Sequence, residues 1–238
     1  MTQRKSQLIV ALDVDTLEEA KRLVKSLSDV VDLFKVGSQL FVACGPEIIR
    51  YLQSQGKKVF LDLKFHDIPT VVAKAVKAAV GEGLFMYTLH TLGGKTMLKE
   101  AVLAGRARAR ELDLPRPWAV GVTVLTSEEK NDTITSLVLE RSLLAKQSGL
   151  DGVVASAQEA ALIHQKCGED FIVVTPGIRL EDRAADDQQR TATPAEAILN
   201  GSHYLVVGRP IIQASSPLEA TQKILKDMKI TIRKEPPA

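Results

Sequence analysis

The segment KVFLDLKFHDIPTVVAKAVKAAV, residues 58–80, joins a strand pattern to a helix pattern. Its first part, KVFLDLK (58–64), is almost continuously apolar up to Asp62, which is typical of a strand covered on both faces in a parallel sheet. Its second part, TVVAKAVKAAV (70–80), has helical spacing, and Pro69 stands where proline is favoured in a first helical turn. The segment therefore predicts one β–α unit.

This unit recurs along the whole chain. Seven further strand patterns are LIVALD (8–13), LFKVG (33–37), LFMYTLH (84–90), WAVGVTVLT (118–126), DGVVAS (151–156), FIVVTPGI (171–178) and YLVVGR (204–209). Other helical patterns lie at 20–27, 47–55, 94–105, 136–149, 157–168, 193–201 and 217–228. Eight alternations of strand and helix predict an α/β fold, a single-domain (β/α)8 TIM barrel over residues 1–238.

An open, doubly wound α/β sheet is the alternative architecture. Dinucleotide-binding folds of that type carry a G-x-G-x-x-G turn after the first strand. No such turn follows LIVALD (8–13). The closed barrel is therefore favoured.

The composition indicates a globular domain without a nucleic-acid partner. Of the 238 residues, 45% are hydrophobic, which is enough for a full core. The formal net charge is only +2, with 31 basic against 29 acidic residues interspersed along the chain. These values argue against nucleic-acid binding and leave small anions as possible ligands.

Other features indicate a cytoplasmic protein. No apolar stretch approaches the roughly 20 residues that cross a bilayer. The N-terminal MTQRKSQLIVALDVD (1–15) lacks the apolar length of a signal peptide. Cys44 and Cys167 show no metal-ligand spacing, and we interpret both as the free thiols of an intracellular protein. We expect no membrane partner, and we expect the tail from about residue 230 to fray because it is rich in proline and charge.

Polar residues cluster at the ends of the predicted strands, where TIM barrels carry their chemistry. They are Asp13, Lys35, Asp62, Lys64, His90, residues 123–127, residues 176–179, Gly208 and Arg209. Asp62 and Lys64, two residues apart, are predicted to face the same side and to pair in the barrel mouth. Lys35 is expected to join them, because an isolated buried charge is costly. A single pair could be purely structural, but a third charge at the adjacent strand end favours function.

Three neighbouring residues have structural interpretations. Asp67, followed by Ile68 and Pro69, fits a helix N-cap. His66 is expected to pack at the rim, and His90 to make a hydrogen bond. We assign neither histidine a proton transfer.

Two glycine–arginine stretches predict a phosphate site. TPGIR (175–179) places Gly177 and Arg179 after strand 7, and VVGRP (206–210) places Gly208 and Arg209 after strand 8. Barrels of this type commonly bind phosphate there. The long polar connection at 179–192 predicts a lid over the same face, with a solvated loop as the alternative.

The motifs DLKFHDIP (62–69), KVG (35–37) and VGRPI (207–211) together resemble the orotidine 5′-phosphate decarboxylase family, in its bacterial form, over essentially the whole chain. The most specific element is the Asp-x-Lys-x-x-Asp pattern, here Asp62, Lys64 and Asp67. Supporting motifs are ALD (11–13), VTVLTS (122–127), TPGIR (175–179) and DQQR (187–190).

The resemblance implies a homodimer without metal or cofactor that converts orotidine 5′-monophosphate to uridine 5′-monophosphate and CO2. It implies that Lys64 protonates C6 and that Asp62 lies beside the substrate carboxylate. Lys35 would extend this chain of charges. Asp67 would reach into the site of the partner subunit.

The resemblance also implies a set of substrate-binding residues. They are Asp13 for the ribose, Ser127 for the pyrimidine, and Gln188 with Arg209 for the phosphate. Further substrate-binding candidates are Thr126, beside Ser127, and Gly177, Arg179 and Gly208 of the two glycine–arginine stretches. One departure concerns the residues after Asp-Ile-Pro. The family usually has Asn-Thr there, with the threonine reaching the ribose of the partner subunit, whereas this chain has Thr70 and Val71.

The implied chemistry explains the alternation of lysine and aspartate. Loss of CO2 from C6 leaves an electron pair in the plane of the ring, where the carbonyl π system cannot delocalise it. A fixed ammonium beside C6 can stabilise this charge and then donate a proton. Neighbouring carboxylates are expected to keep such a lysine protonated.

Three other functions share part of the pattern. Metal-dependent keto-gulonate phosphate decarboxylases and hexulose phosphate synthases have the Asp-x-Lys-x-x-Asp motif but a metal-binding Glu in place of Lys35. A Schiff-base aldolase needs a neutral Lys64, which Asp62 and Asp67 disfavour. A non-catalytic nucleotide-binding protein would not need two carboxylates near a phosphate dianion.

Overall fold

The computed structural model describes residues 6–124, 132–180 and 190–234. In these ranges eight parallel strands close into a barrel in sequence order. The strands are β1 (Gln7–Ala11), β2 (Leu33–Gly37), β3 (Lys58–Phe65), β4 (Met86–His90), β5 (Trp118–Val122), β6 (Gly152–Val154), β7 (Ile172–Thr175) and β8 (Tyr204–Val207). All eight predicted strands are confirmed. The open-sheet alternative is wrong, because Val10 of β1 pairs with both Phe34 and Val207.

Helices follow the strands on the outside. They are α1 (Leu17–Leu27), α2 (Ser38–Cys44), α3 (Glu47–Ser54), α4 (Pro69–Val80), α5 (Gly94–Glu111), α6 (Asp132–Gln147), α7 (Ala157–Cys167), α8 (Pro194–Leu199), α9 (Arg209–Ile212) and α10 (Pro217–Lys234). The short helices α2 and α9 were not predicted, since seven and four residues show too little periodicity. In the described part of the chain, no helix is long and apolar enough to span a bilayer.

Several boundaries differ from prediction. β1 ends at Ala11 and β5 at Val122, before the predicted ends at 13 and 126, because the chain leaves the sheet where it reaches the barrel mouth. α10 continues to Lys234, so residues 230–234 of the segment expected to fray are helical. The remainder of that predicted tail, 235–238, lies outside the described residues.

Two apolar layers hold the barrel together. The inner layer consists of inward-pointing strand residues, among them Ile9, Ala11, Phe60, Val120, Val174 and Val206. The outer layer packs the alternate strand residues against the helices. Helix α4 shows this packing, since it buries Val72, Val76 and Val80 at a spacing of four residues. The alternation that buries Phe60 inside the barrel also directs Asp62 towards its mouth.

Candidate active site

Strand β3 is irregular where it reaches the barrel mouth. Leu61 pairs with Tyr87 and the next pair is Phe65 with Leu89, so four steps along β3 match two along β4. Lys64 lies inside this bulge with φ 50°, in the left-handed region that residues other than glycine rarely adopt. Such conformations cost about 1–3 kcal/mol each and cluster at functional sites.

Four charged side chains form a chain of contacts across the mouth. Lys64 Nζ lies 3.0 Å from Asp62 Oδ2, and Lys35 Nζ lies 3.6 Å from the same oxygen. Lys35 Nζ also donates to Asp13 Oδ1 at 2.9 Å. Lys35 and Asp62 are buried, whereas Asp13 is exposed. The predicted Asp62–Lys64 pair and its third member, Lys35, are confirmed as contacts.

Opposite charge outweighs burial for both buried groups. Desolvation alone would lower the pKa of Lys35, yet the carboxylates of Asp62 and Asp13 hold it above the usual lysine value. Desolvation likewise opposes ionisation of Asp62, but Lys35 and Lys64 keep the pKa of that carboxyl below its usual range. Both groups are therefore charged at neutral pH.

Two glycines leave room for these side chains. A Cβ atom on Gly37 would lie 2.9 Å from Lys35 Nζ, and one on Gly208 would lie 3.3 Å from Asp13 Oδ2. The first distance is shorter than real Cβ contacts, so a larger residue at position 37 would displace the ammonium. Glycine at these two strand ends lets the Lys35–Asp13 pair form close to the backbone.

Thr88 is a residue of this network that the sequence reasoning missed. Its fully buried hydroxyl accepts from the Lys64 N–H at 2.7 Å and donates to Asp62 Oδ1 at 3.1 Å. The position of Thr88 in the strand could have revealed it. Thr88 lies two residues from Met86 and two from His90, so the three share one face of β4, and that face points into the barrel. A polar residue at an inward position near a strand end is a candidate for the site.

These four charged residues line one side of a cavity of about 330 Å³ at the carboxyl ends of the strands. The predicted phosphate residues Gly177, Arg179, Gly208 and Arg209 also line it, and the remaining wall is apolar, including Phe60 and several valines. The described lining carries four cationic side chains and two carboxylates. Its net positive charge and its apolar wall suit an anionic ligand that also has an apolar surface.

The connection after β7 is tied together beside the cavity. Ala192 N–H donates to Gly177 O at 3.2 Å, and Arg179 N–H donates to Ala192 O at 2.9 Å. Gly177 has φ 77°, which glycine adopts without strain. The two ends of the predicted lid are therefore adjacent, while its residues 181–189, which include Gln188, lie outside the described residues.

Asp67 is not among the described residues that line the cavity. It is exposed, and its Oδ1 accepts from the Ile68 N–H at 2.6 Å. The N-cap interpretation of Asp67 is wrong by one residue, since Ile68 is the capping residue and α4 begins at Pro69. The physical reason is that a residue before proline is held in an extended conformation, and Ile68 has ψ 149°.

The two rim histidines have structural roles. The rings of His66 and His90 stack at a centroid distance of 5.3 Å. His90 Nδ1 accepts from the Leu92 N–H at 3.3 Å, at the start of a short 3-10 turn. Burial, followed by the charges of His66, Arg141 and Lys64, lowers the pKa of His90. The predicted pyrimidine contact Ser127 and the substrate-binding candidate Thr126 lie outside the described residues.

The fold and site define a class: a (β/α)8-barrel enzyme with alternating lysines and carboxylates at the mouth. The chain matches the Orotidine 5′-phosphate decarboxylase / HUMPS family over residues 6–224. It belongs to that family. It is 46% identical over 230 residues to orotidine 5′-phosphate decarboxylase of Legionella pneumophila (strain Lens), covering 93% of this chain and 99% of the relative.

Two further relatives agree with this assignment. Orotidine 5′-phosphate decarboxylase of Syntrophotalea carbinolica is 44% identical over 238 residues, covering 96% of this chain and 97% of the relative. The crystal structure of orotidine 5′-phosphate decarboxylase from Lactobacillus acidophilus superposes with a TM-score of 0.81 at 37% identity. That comparison covers 94% of this chain and 99% of the other.

Proposed function

We propose that this protein decarboxylates orotidine 5′-monophosphate to uridine 5′-monophosphate and CO2, the last step of de novo pyrimidine nucleotide synthesis. The observation that carries the proposal is the buried carboxylate of Asp62, with Lys64 and Lys35 at 3.0 and 3.6 Å from one oxygen. Relatives named orotidine 5′-phosphate decarboxylase, at 46% and 44% identity, support it.

The cavity offers a matching surface for each part of this substrate. Arg179 and Arg209, with the turns at Gly177 and Gly208, suit the phosphate dianion. The apolar wall suits the pyrimidine ring. Asp13 lines the cavity and is held by Lys35, and its carboxylate can accept hydrogen bonds from the ribose hydroxyls. The proposed set is completed by Ser127 for the pyrimidine, Gln188 for the phosphate, and Thr126 as a further substrate-binding residue.

Lys64 carries the chemical step. The bond between C6 and the carboxylate carbon breaks, its electron pair stays on C6, and CO2 leaves. The ammonium of Lys64 stabilises that electron pair and then donates a proton, which forms the C6–H bond. Asp62 places a negative charge beside the substrate carboxylate, so the charge repulsion between the two groups is relieved as CO2 leaves.

The position of Lys35 favours a reaction without a metal ion. Within the described lining of the cavity, Asp13 and Asp62 are the carboxylates that could ligate a divalent cation, and the Lys35 ammonium contacts both. A second cation between them would face direct repulsion from Lys35. This argues against the metal-dependent decarboxylases and synthases that share the Asp-x-Lys-x-x-Asp motif.

We further propose a homodimer in which Asp67 enters the site of the partner subunit. Asp67 is exposed, lies three residues after Lys64, and is not among the described residues that line its own cavity. Ile68 and Val71, which follow Asp67 in the chain, are 62% and 44% exposed, and Leu92, whose N–H donates to His90, is 58% exposed. Apolar exposure of this kind is typical of an interface. A cytoplasmic location remains a prediction.

The test is the loss of absorbance of orotidine 5′-monophosphate in the presence of EDTA. Wild type should consume the substrate, and Lys64→Ala should be slower by at least about 100-fold, as expected for loss of a general acid. Lys58→Ala is the matched control, because Lys58 is exposed at the opposite end of the same strand. The proposal fails if wild type binds the nucleotide but leaves it unchanged, or if EDTA abolishes turnover.

A further inference from the structure

The hydroxyl group of Thr88 joins two parts of the site that the proposed reaction uses. It accepts a hydrogen bond from the backbone N–H of Lys64 at 2.7 Å and donates one to Asp62 Oδ1 at 3.1 Å. A hydroxyl has one hydrogen to donate, and here the neighbouring groups determine its direction, because an N–H can only donate and a carboxylate can only accept. Thr88 itself is fully buried and is not among the described residues that line the cavity.

The backbone of Lys64 needs such a partner. The ladder between β3 and β4 is interrupted from Leu61 to Phe65, so the Lys64 N–H lies in the bulge and takes a side-chain acceptor. Lys64 also has φ 50°, a conformation that persists only where surrounding contacts hold it. The hydrogen bond to Thr88 is one such contact.

The second hydrogen bond sets the orientation of the Asp62 carboxylate. With Oδ1 held by Thr88, the other oxygen, Oδ2, is the one that contacts both Lys64 Nζ and Lys35 Nζ. A rotation of the carboxylate would break the contact with Thr88. One hydroxyl thus links the backbone of the proposed acid to the carboxylate that its side chain contacts.

We propose that Thr88 is a positioning residue for the reaction: its hydroxyl holds Lys64 in the strained bulge and orients Asp62, so that the ammonium is placed at C6. The inference rests on the proposed function for its catalytic consequence. Thr88 has no contact with the substrate in this scheme. Its removal should therefore lower kcat and leave nucleotide binding unchanged.

The experiment compares three variants with wild type. Thr88→Val keeps the shape and removes the hydroxyl, while Thr88→Ser keeps the hydroxyl. Thr221→Val is the matched control, since Thr221 is also fully buried and donates its hydroxyl hydrogen to Pro217 O on the outer helix α10, away from the cavity. The measurements are kcat and KM, the dissociation constant of uridine 5′-monophosphate, and the hydrogen exchange rate of the Lys64 amide by NMR.

We expect Thr88→Val to lower kcat by about 10- to 100-fold, the effect of one lost hydrogen bond to a charged group. KM and the dissociation constant of uridine 5′-monophosphate should stay within about twofold of wild type, because the contacts that bind the nucleotide in the ground state do not involve Thr88. Thr88→Ser should restore most of the kcat. The Lys64 amide should exchange faster in Thr88→Val than in the other three proteins.

Two results would overturn the inference: unchanged exchange of the Lys64 amide in Thr88→Val, or a kcat loss no larger than that of Thr221→Val. If wild type does not decarboxylate the substrate, the proposed function fails separately. The exchange measurement then still decides whether Thr88 holds the Lys64 backbone.

Discussion

Glu159 and Arg190 form an ion pair of 2.8 Å in which the two side chains are 0% and 1% exposed. Glu159 lies in the first turn of α7. Arg190 lies two residues before Ala192, which pairs with Gly177 and Arg179 at the cavity. The pair therefore fixes the base of the connection after β7, and the capping box of Thr193 and Glu196 then starts α8.

This pair predicts a large loss of stability when one partner is removed. Arg190→Met leaves the Glu159 carboxylate buried without its counter-charge and should lower the free energy of unfolding by about 3–5 kcal/mol. The double variant Glu159→Leu/Arg190→Met should recover most of that loss, because no buried charge remains. Urea denaturation measures both values.

Lys21→Met serves as the control for that experiment. Lys21 pairs with Glu18 at 2.8 Å on the surface of α1. An exposed pair contributes only about 0–1 kcal/mol, so this variant should unfold close to wild type. Equal stability of Arg190→Met and Lys21→Met would contradict the structural role assigned to the buried pair.

The shifted pKa values of Asp62 and Lys35 at the barrel mouth predict how the free energy of unfolding depends on pH. The pKa of Asp62 is lowered in the folded state, so its contribution is present above the unfolded value of about 3.9 and is lost as pH falls through the folded value. The pKa of Lys35 is raised, so its contribution is present below about 10.4 and is lost as pH rises through the folded value. Between these limits both groups contribute fully.

Urea denaturation of wild type and Asp62→Asn at several pH values tests this. The free energy of unfolding of wild type should fall more steeply than that of the variant below about pH 4, where the unfolded chain binds the extra proton. Parallel curves for the two proteins in the acid range would show that Asp62 has no lowered pKa.

We expect activity to be sensitive to substitution of Gly37, although this residue carries no charge. Gly37→Ala would put a Cβ atom 2.9 Å from Lys35 Nζ and push the ammonium away from Asp13. We expect kcat/KM to fall by up to about 100-fold, as for other small displacements of site groups, with little change in the unfolding midpoint. If the effect acts through Lys35, Gly37→Ala should add nothing in a Lys35→Ala background. An additional loss there would point to a direct effect of the new methyl group.

If Asp67 of each subunit enters the site of the other, two inactive variants should restore activity when their subunits are mixed. Lys64→Ala and Asp67→Ala should each be inactive alone, but a mixed dimer contains one site with Lys64 from one subunit and Asp67 from the other. Random reassortment of equal amounts should restore roughly a quarter of wild-type activity, since half of the dimers are mixed and each has one complete site. No recovery, in a mixture shown to exchange subunits, would place Asp67 in the site of its own chain.

Local pattern was sufficient for the fold and for much of the site. Each strand and the helix after it show their own periodicity, so the barrel followed from counting β–α units. The charges at Lys35, Asp62 and Lys64 could be brought together because parallel strands end at the same edge. The bulge was not predictable in this way, since simple alternation contains no signal that Lys64 adopts φ 50°.

By itself, the sequence determined the closed barrel and the contact between Asp62, Lys64 and Lys35, because apolar periodicity and strand-end charge are properties of short segments. Only the tertiary structure decided that Thr88 joins Lys64 to Asp62 and that Glu159 pairs with Arg190. The physical reason is that these relations depend on the register between β3 and β4 and on the closure of the barrel. Both arise from contacts between residues that are distant in the chain.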